Sequence, residues 1–271
     1  MNMKLIHFTP VVLIALSIFS SCKKEGSLAA EIENTFDLSG KQAISEGLTE
    51  DANAILNETV ESQNLSGARQ PLVCSGTTSC ATITVSPGGF PKTITLDFGT
   101  SGCNNPGSNF TRRGIIHIVL SDSLRRTGTT AVMTFENYYV NDYKKEGTIT
   151  WTNTSTTNTI SWHREVANGI ITAPNGNIWY HTSSKDITQV AGQNTPRVLL
   201  DDAFSITGTA TTTTPAGITR TATIITPLHK QVSCDHIDQG SIHFQGPNQW
   251  RPPDFHFGQR LPQPIAAPTP P

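Results

Sequence analysis

The chain has 271 residues, a formal net charge of −2 and only 15% charged residues. It carries no basic stripe for nucleic acid and no acidic tail, so no nucleic-acid partner is expected. Its polarity comes from Thr, Ser and Asn, and its length suits one all-β domain or two small ones.

The first element in chain order is an address. Lys4 and a mixed stretch precede an apolar run from Val11 to Phe19. That run is too short to cross a membrane, which takes about 20 apolar residues. A secretory signal has a basic start, roughly 7–15 apolar residues and small residues at the cut. Ser20 and Ser21 are those small residues, and Cys22 follows. A signal ending small-small-Cys resembles that of bacterial lipoproteins. The resemblance implies loss of residues 1–21, a diacylglycerol on the Cys22 thiol, and an acyl chain such as palmitate on the new amino terminus. No Asp adjoins Cys22, and Lys24-Glu25 is similar to the export signature of surface lipoproteins of the Bacteroidota. The implied partner is a membrane, reached through the lipid. The implied location is the outer membrane, facing the periplasm or the cell surface.

Residues 22–66 read as tether and helix. Ala43, Ile44, Leu48, Ala52, Ile55, Leu56 and Val60 recur at three- and four-residue steps, the spacing of one helical face. The helix is expected over about 40–62, capped by Ser39 and weakened at Gly47.

Residues 67–246 change texture to alternation of period two, rich in Thr, with turn residues every eight to twelve positions. The β-branched Thr suits strands. Residues 81–99 read as a hairpin turning near Gly89–Phe90, and 112–122 as a central strand. Turns are expected at Asn141-Asp142, at Asn175-Gly176 and near Pro215–Gly217. The expected fold is mainly β: an antiparallel meander of about a dozen strands, as a sandwich or strongly twisted sheet, with one N-terminal amphipathic helix.

The ends of this region resemble each other. Residues 81–99 align without gaps on 240–258, matching Ile83 with Ile242, Phe98 with Phe257 and Gly99 with Gly258. The repeat predicts similar hairpins at both ends. Eight of the 17 Pro fall within 247–271, so that stretch reads as an extended, disordered tail. The loss of the repeat near residue 250 suggests a changed reading frame.

Besides Cys22, four Cys remain: Cys74, Cys80, Cys103 and Cys234. An oxidising compartment permits disulfides, and four Cys allow three full connectivities. Folding the first hairpin about Gly89–Phe90 carries Cys103 alongside Cys80, given a bulge at Gly99–Gly102. A Cys80–Cys103 bond is therefore expected, with Cys74 as the competing partner.

Catalytic motifs are not found. The triplet Asp97-Phe98-Gly99 lacks the other kinase motifs. His163 and Glu165 share strand parity without a mechanism. Cys234, His236 and His243 fit no metal spacing, and no cofactor is expected. The carboxylates Asp97, Glu136, Glu165 and Asp201 would suit glycoside hydrolysis only if two of them met in space. A turn centred between Thr156 and Thr157 would put Trp151 opposite Trp162. That pair reads as core packing or as an exposed platform for sugar rings. Asp122-Ser123-Leu124 resembles the acceptor pattern of protein O-glycosylation in the Bacteroidota, with Ser123 modified.

Cys22, "TITLDFGTSGC", "ENYYVNDYKKEGTITWTN", "DDAFSITGTA" and "ITPL" together resemble a group of Thr-rich Bacteroidota lipoproteins. The resemblance implies a tethered β domain and supplies no active site. The expectation is a structural or ligand-binding lipoprotein without enzymatic activity, its ligand a glycan or a surface protein. The alternative is a carbohydrate-active enzyme or its binding accessory.

Overall fold

The computed structural model describes residues 25–67, 78–104, 110–195, 199–234, 236–246 and 255–257, with helix side chains from Asp37 onward. One helix, α1 (Glu25–Ser62), precedes the strands β1 (Thr82–Val85), β2 (Lys92–Asp97), β3 (Cys103–Asn104), β4 (Thr111–Leu120), β5 (Thr130–Val140) and β6 (Tyr143–Asn153). Then come β7 (Ser161–Thr172), β8 (Ile178–Ala191), β9 (Ala203–Thr213), β10 (Thr219–Gln231), β11 (Ile237–Gln245) and β12 (Phe255–Phe257). They form one antiparallel sheet in the order β1-β2-β4-β5-β6-β7-β8-β9-β10-β11-β12, with β3 paired on the end of β4. The sheet does not close. The expected meander is therefore the fold, as a single open sheet rather than a sandwich.

The turns follow their chemistry. Asn141 and Asp142 both have positive φ, 47° and 66°, and join Val140 directly to Tyr143. Such a two-residue turn matches the twist of its flanking strands. Asn175-Gly176 lies in a turn closed by Ala173 N–H donating to the Asn177 carbonyl.

A line of bulges crosses the middle of the sheet. Pairing slips at Arg113/Ile115 in β4, Thr134/Tyr138 in β5, Glu146/Thr148 in β6 and Val166/Gly169 in β7. Bulges bend a strand and raise its twist, so a row of them curls the whole sheet. Gly114 and Gly147 make the slips possible. A Cβ on Gly114 would lie 2.0 Å from the Asn137 carbonyl oxygen, and one on Gly147 2.6 Å from that of Asn168.

One face of this sheet carries α1. Reading across the strands, its central row is Ile94, Ile118, Met133, Ile149, Val166, Ser183, Ala210, Ala222 and Phe244. The row is large and aliphatic through β7, then small over β8–β10. The apolar core occupies the first part, where Ile94, Ile118, Met133 and Ile149 are fully buried with Ala52, Ile55 and Val60 of the helix. Over β8–β10 the small side chains leave the helix room to come close. Outward positions alternate with these and hold Thr134, Thr148, Thr150, Thr209, Thr211, Thr221 and Thr223.

The helix begins far ahead of the expected residue 40. Ser39 does not cap it but lies inside it, accepting a hydrogen bond from Arg220. Ala43 is exposed, although its spacing put it on the apolar face.

The repeat is present in the pairing. Thr82↔Asp97 of the first hairpin maps onto Ser241↔His256 of the last, and both pairs are observed. Phe255–Phe257 thus form β12 within the stretch expected to be an extended tail. The rest of 247–271 lies outside the described residues, as does the competing Cys74.

Candidate functional site

The densest polar chemistry lies between α1 and the sheet. Contacts with later helix residues fall on earlier strands, so the helix crosses the sheet from β10 towards β4. Arg220 in β10 meets Ser39. Trp179 in β8 donates its indole Nε1–H to Ser45 Oγ at 2.8 Å. Lys185 in β8 meets Glu46 Oε2 at 2.6 Å, and Arg164 in β7 meets Glu50 Oε1 at 2.5 Å. Lys145 in β6 donates to Thr49 Oγ1 at 3.2 Å. Arg112 in β4 and the Tyr138 hydroxyl in β5 both reach Asp51.

Glu46 is the hinge of this seam. Arg164 and Lys185 stand directly opposite each other on β7 and β8. Like charges in that position repel. The Glu46 carboxylate lies between them, 3.7 Å from Arg164 Nη2 and 2.6 Å from Lys185 Nζ. Burial pushes the Glu46 carboxyl up, but Lys185, His181 and Arg164 together hold it below its ordinary value.

His181 and Lys145 carry the cost of burial. His181 is 1% exposed, and burial lowers its pKa from 6.5 to about 4, with Glu46 opposing and Lys145, Lys185 and Arg164 assisting. It is therefore neutral at pH 7. Its Nε2 lies 3.8 Å from Glu46 Oε1, and neither atom has a hydrogen-bond partner among the described residues. Burial likewise lowers the Lys145 ammonium from 10.5 to about 8, against the pull of Glu46. The arrangement can hold a helix in a fixed register.

The outward face carries a second set of charges. His117 pairs with Glu136 at 3.1 Å, His163 with Asp186 at 2.8 Å and His229 with Asp238 at 2.6 Å. His163 and Glu165 share this face, as their spacing required, but His163 bonds to Asp186 instead. Glu136 and Glu165 stand on β5 and β7, Asp97 ends β2, and Asp201 accepts from Thr195 Oγ1. Asp97 caps its own turn, taking the Gly99 N–H at 2.8 Å. No group of three or more metal-ligating side chains occurs among the described residues.

The Cys80–Cys103 disulfide is formed, with Cα atoms 5.9 Å apart, and Gly99 and Gly102 both take positive φ between β2 and β3 as the bulge required. Cys234 has no disulfide partner among the described residues. Cys22 lies outside them. Ser123 sits in a turn docked on the segment that follows α1: its neighbours Leu124 and Arg125 donate backbone N–H groups to the Leu65 and Ser66 carbonyls.

The Trp pair needs correcting. Trp151 faces Arg164, and Trp162 faces Asn153, so the turn is displaced by one residue from the expected centre. Hydrogen bonds of Thr154 and Thr156 to Ser161 and Thr159 set that register. Trp151 is 7% exposed, stacked with Arg164 at 5.2 Å, and Trp162 is half-buried against the same core. The pair lies on the helix side as core packing, not as an open platform.

Glu46, Glu50, Asp51, Arg112, Lys145 and His181 went unremarked in sequence. A signal existed for Arg164: it sits at inward parity between Trp162 and Val166. A charge between two core positions calls for an opposite charge across the core. Comparison with models of protein families, with curated proteins and with solved structures finds no match.

Proposed function

We propose that the chain is a membrane-tethered lipoprotein whose β domain serves a structural or ligand-binding role, without enzymatic activity. The observation that carries this reading is Ser20-Ser21-Cys22 closing a short apolar run. The described helix supports it: α1 starts at Glu25, three residues beyond Cys22, and its later turns are buried in the sheet. A lipid on Cys22 would thus join a rigid element of the core. A single acyl chain anchors only weakly, but a triacylated terminus anchors stably. An outer-membrane location, periplasmic or at the surface, follows from the residues after Cys22. The ligand face is the outward one, where Thr hydroxyls and three His–carboxylate pairs could meet a glycan or a surface protein.

Replacing Cys22 tests the tether. Cys22→Ala should move the protein from the membrane fraction to the soluble fraction. Tight sedimentation of the variant with membranes would overturn the lipoprotein reading.

A further inference from the structure

Among the described residues, the two edges of the open sheet are not alike. At one edge, β12 follows a connection containing Pro247, Pro252 and Pro253. β12 itself is only Phe255–Phe257, and a very short edge strand offers little ladder to a partner. At the other edge, β1 reads Thr82-Ile83-Thr84-Val85, four β-branched residues with no charge and no Pro. Thr82 and Thr84 are exposed, and Ile83 and Val85 are half-buried. The glycines at the hairpin tip, Gly88 and Gly89, have open space around them. One end of β1 is pinned by the Cys80–Cys103 bond.

The backbone parity of β1 is fixed. Ser86 N–H donates to the Thr93 carbonyl of β2, so even-numbered residues of β1 bond inward. In an antiparallel ladder the N–H and C=O of one residue point the same way. Those of Ile83 and Val85 therefore point out of the sheet. Ile83 and Val85 are also the residues whose side chains lie on the core face.

We propose that β1 is a self-pairing edge, on which a second copy of this chain docks its own β1 antiparallel about a two-fold axis through Thr84. In this register Ile83 of one copy faces Val85 of the other, twice, and each pair exchanges two backbone hydrogen bonds. Every outward group of Ile83 and Val85 is satisfied. Thr84 faces Thr84, a non-hydrogen-bonded pair, and Thr82 faces Ser86. Apolar side chains meet apolar ones on the core face, and hydroxyls meet hydroxyls on the outer face, the pairings that stabilise sheets. A shift of one residue would bring inward-bonded groups to the edge and lose the ladder. Four residues a side make a small interface, so the dimer is weak in dilute solution.

The test is a cross-link in the full chain. Cα atoms of a non-hydrogen-bonded pair are about 4.5 Å apart, within disulfide reach. Thr84→Cys should give, on mild oxidation, a covalent dimer whose peptide map joins residue 84 to residue 84. Val85→Pro is the control. The Val85 N–H has no partner among the described residues, so the variant should fold, but it removes two of the four bonds between copies. Added to Thr84→Cys, it should lower the dimer yield by about tenfold or more. Sedimentation of the chain without Thr84→Cys should show a concentration-dependent dimer that Val85→Pro abolishes. The proposal is overturned by the absence of an 84–84 link or by a yield indifferent to Val85→Pro. Species longer than dimers would overturn it too, since they signal head-to-tail pairing of β1 with β12.

Discussion

The two halves of α1 meet two different kinds of sheet. From Leu48 to Val60 the helix buries Leu48, Ala52, Ile55, Leu56 and Val60 against the aliphatic rows of β2–β7. From Leu38 to Thr49 most of what it buries is polar, Gln42, Ser45 and Thr49, against Trp179, His181 and Ser183 of β8 and the cations of β6–β8. Apolar contact is strong but non-directional and tolerates sliding. Hydrogen bonds and ion pairs break when a partner moves by an ångström or two. The apolar half thus supplies adhesion and the polar half supplies register. The contrast can be broken by substitutions on either side, and the largest effect should come from the apolar one.

Ile55 is fully buried. Ile55→Ala should cost about 2–5 kcal/mol, the transfer loss plus a cavity that a curled sheet closes poorly. Thermal unfolding is the measurement, and a midpoint drop of roughly 5–15 °C is expected at about 2–4 °C per kcal/mol. A drop below about 2 °C would show that adhesion lies elsewhere.

The polar half should reveal itself through pH. His181 has its pKa lowered from 6.5 to about 4. A base depressed on folding stays neutral while the unfolded chain takes up its proton. Its contribution is therefore full above pH 6.5 and lost as pH falls towards 4. The amount at stake is about 3 kcal/mol. His181→Gln should flatten the loss of stability between pH 6.5 and 4. The charges facing the imidazole, Glu46 of α1, Lys145 of β6, Arg164 of β7 and Lys185 of its own strand β8, remain in the variant. An acid limb as steep as in the unaltered chain would place the titrating group elsewhere.

Glu46→Gln tests the charge balance directly. It leaves Arg164, still paired with Glu50, and Lys185 opposed across β7 and β8 without the Glu46 carboxylate between them. Removing one partner of a fully buried pair costs about 3–5 kcal/mol. The Glu46 side chain is 22% exposed, so about 2 kcal/mol is expected. Added salt should restore part of the loss, because exposed charge is screened. A salt-independent loss would point to packing instead.

Much of the sheet was legible in the sequence, and the seam was not. Period-two alternation and positive-φ turn residues such as Asn141-Asp142 depend on neighbours in the chain, so a sequence displays them. The first hairpin register followed from its turn, and the disulfide followed from the register. The Trp151–Trp162 pairing failed because "TNTSTTNT" offers several equivalent turn centres, and only long-range pairing chooses among them. The helix start failed because it rested on Ser39 as a cap, whereas Ser39 lies inside the helix and its hydroxyl accepts from Arg220. The seam joins residues 61 to 181 positions apart. Its members look like ordinary surface charges until the sheet brings them beneath the helix.

The smallest expected effect is the most specific. Trp179 is 1% exposed, and its only polar atom donates to Ser45 Oγ at 2.8 Å. Ser45 Oγ in turn donates to the Lys41 carbonyl at 2.9 Å. Ser45→Ala removes the acceptor and strands a buried indole N–H, at about 1–3 kcal/mol. Alanine also favours the helix by a few tenths of a kcal/mol, which offsets part of that loss. A net destabilisation of about 1 kcal/mol should therefore appear as a 2–4 °C fall in midpoint. A double variant gives a second readout. If the hydroxyl fixes register, Ser45→Ala combined with Glu46→Gln should cost less than the two single losses added, because loosening the shared turn against β8 in either variant already weakens the other contact. Strict additivity would mean that each contact acts alone, and that the polar half of the seam does not work as a unit.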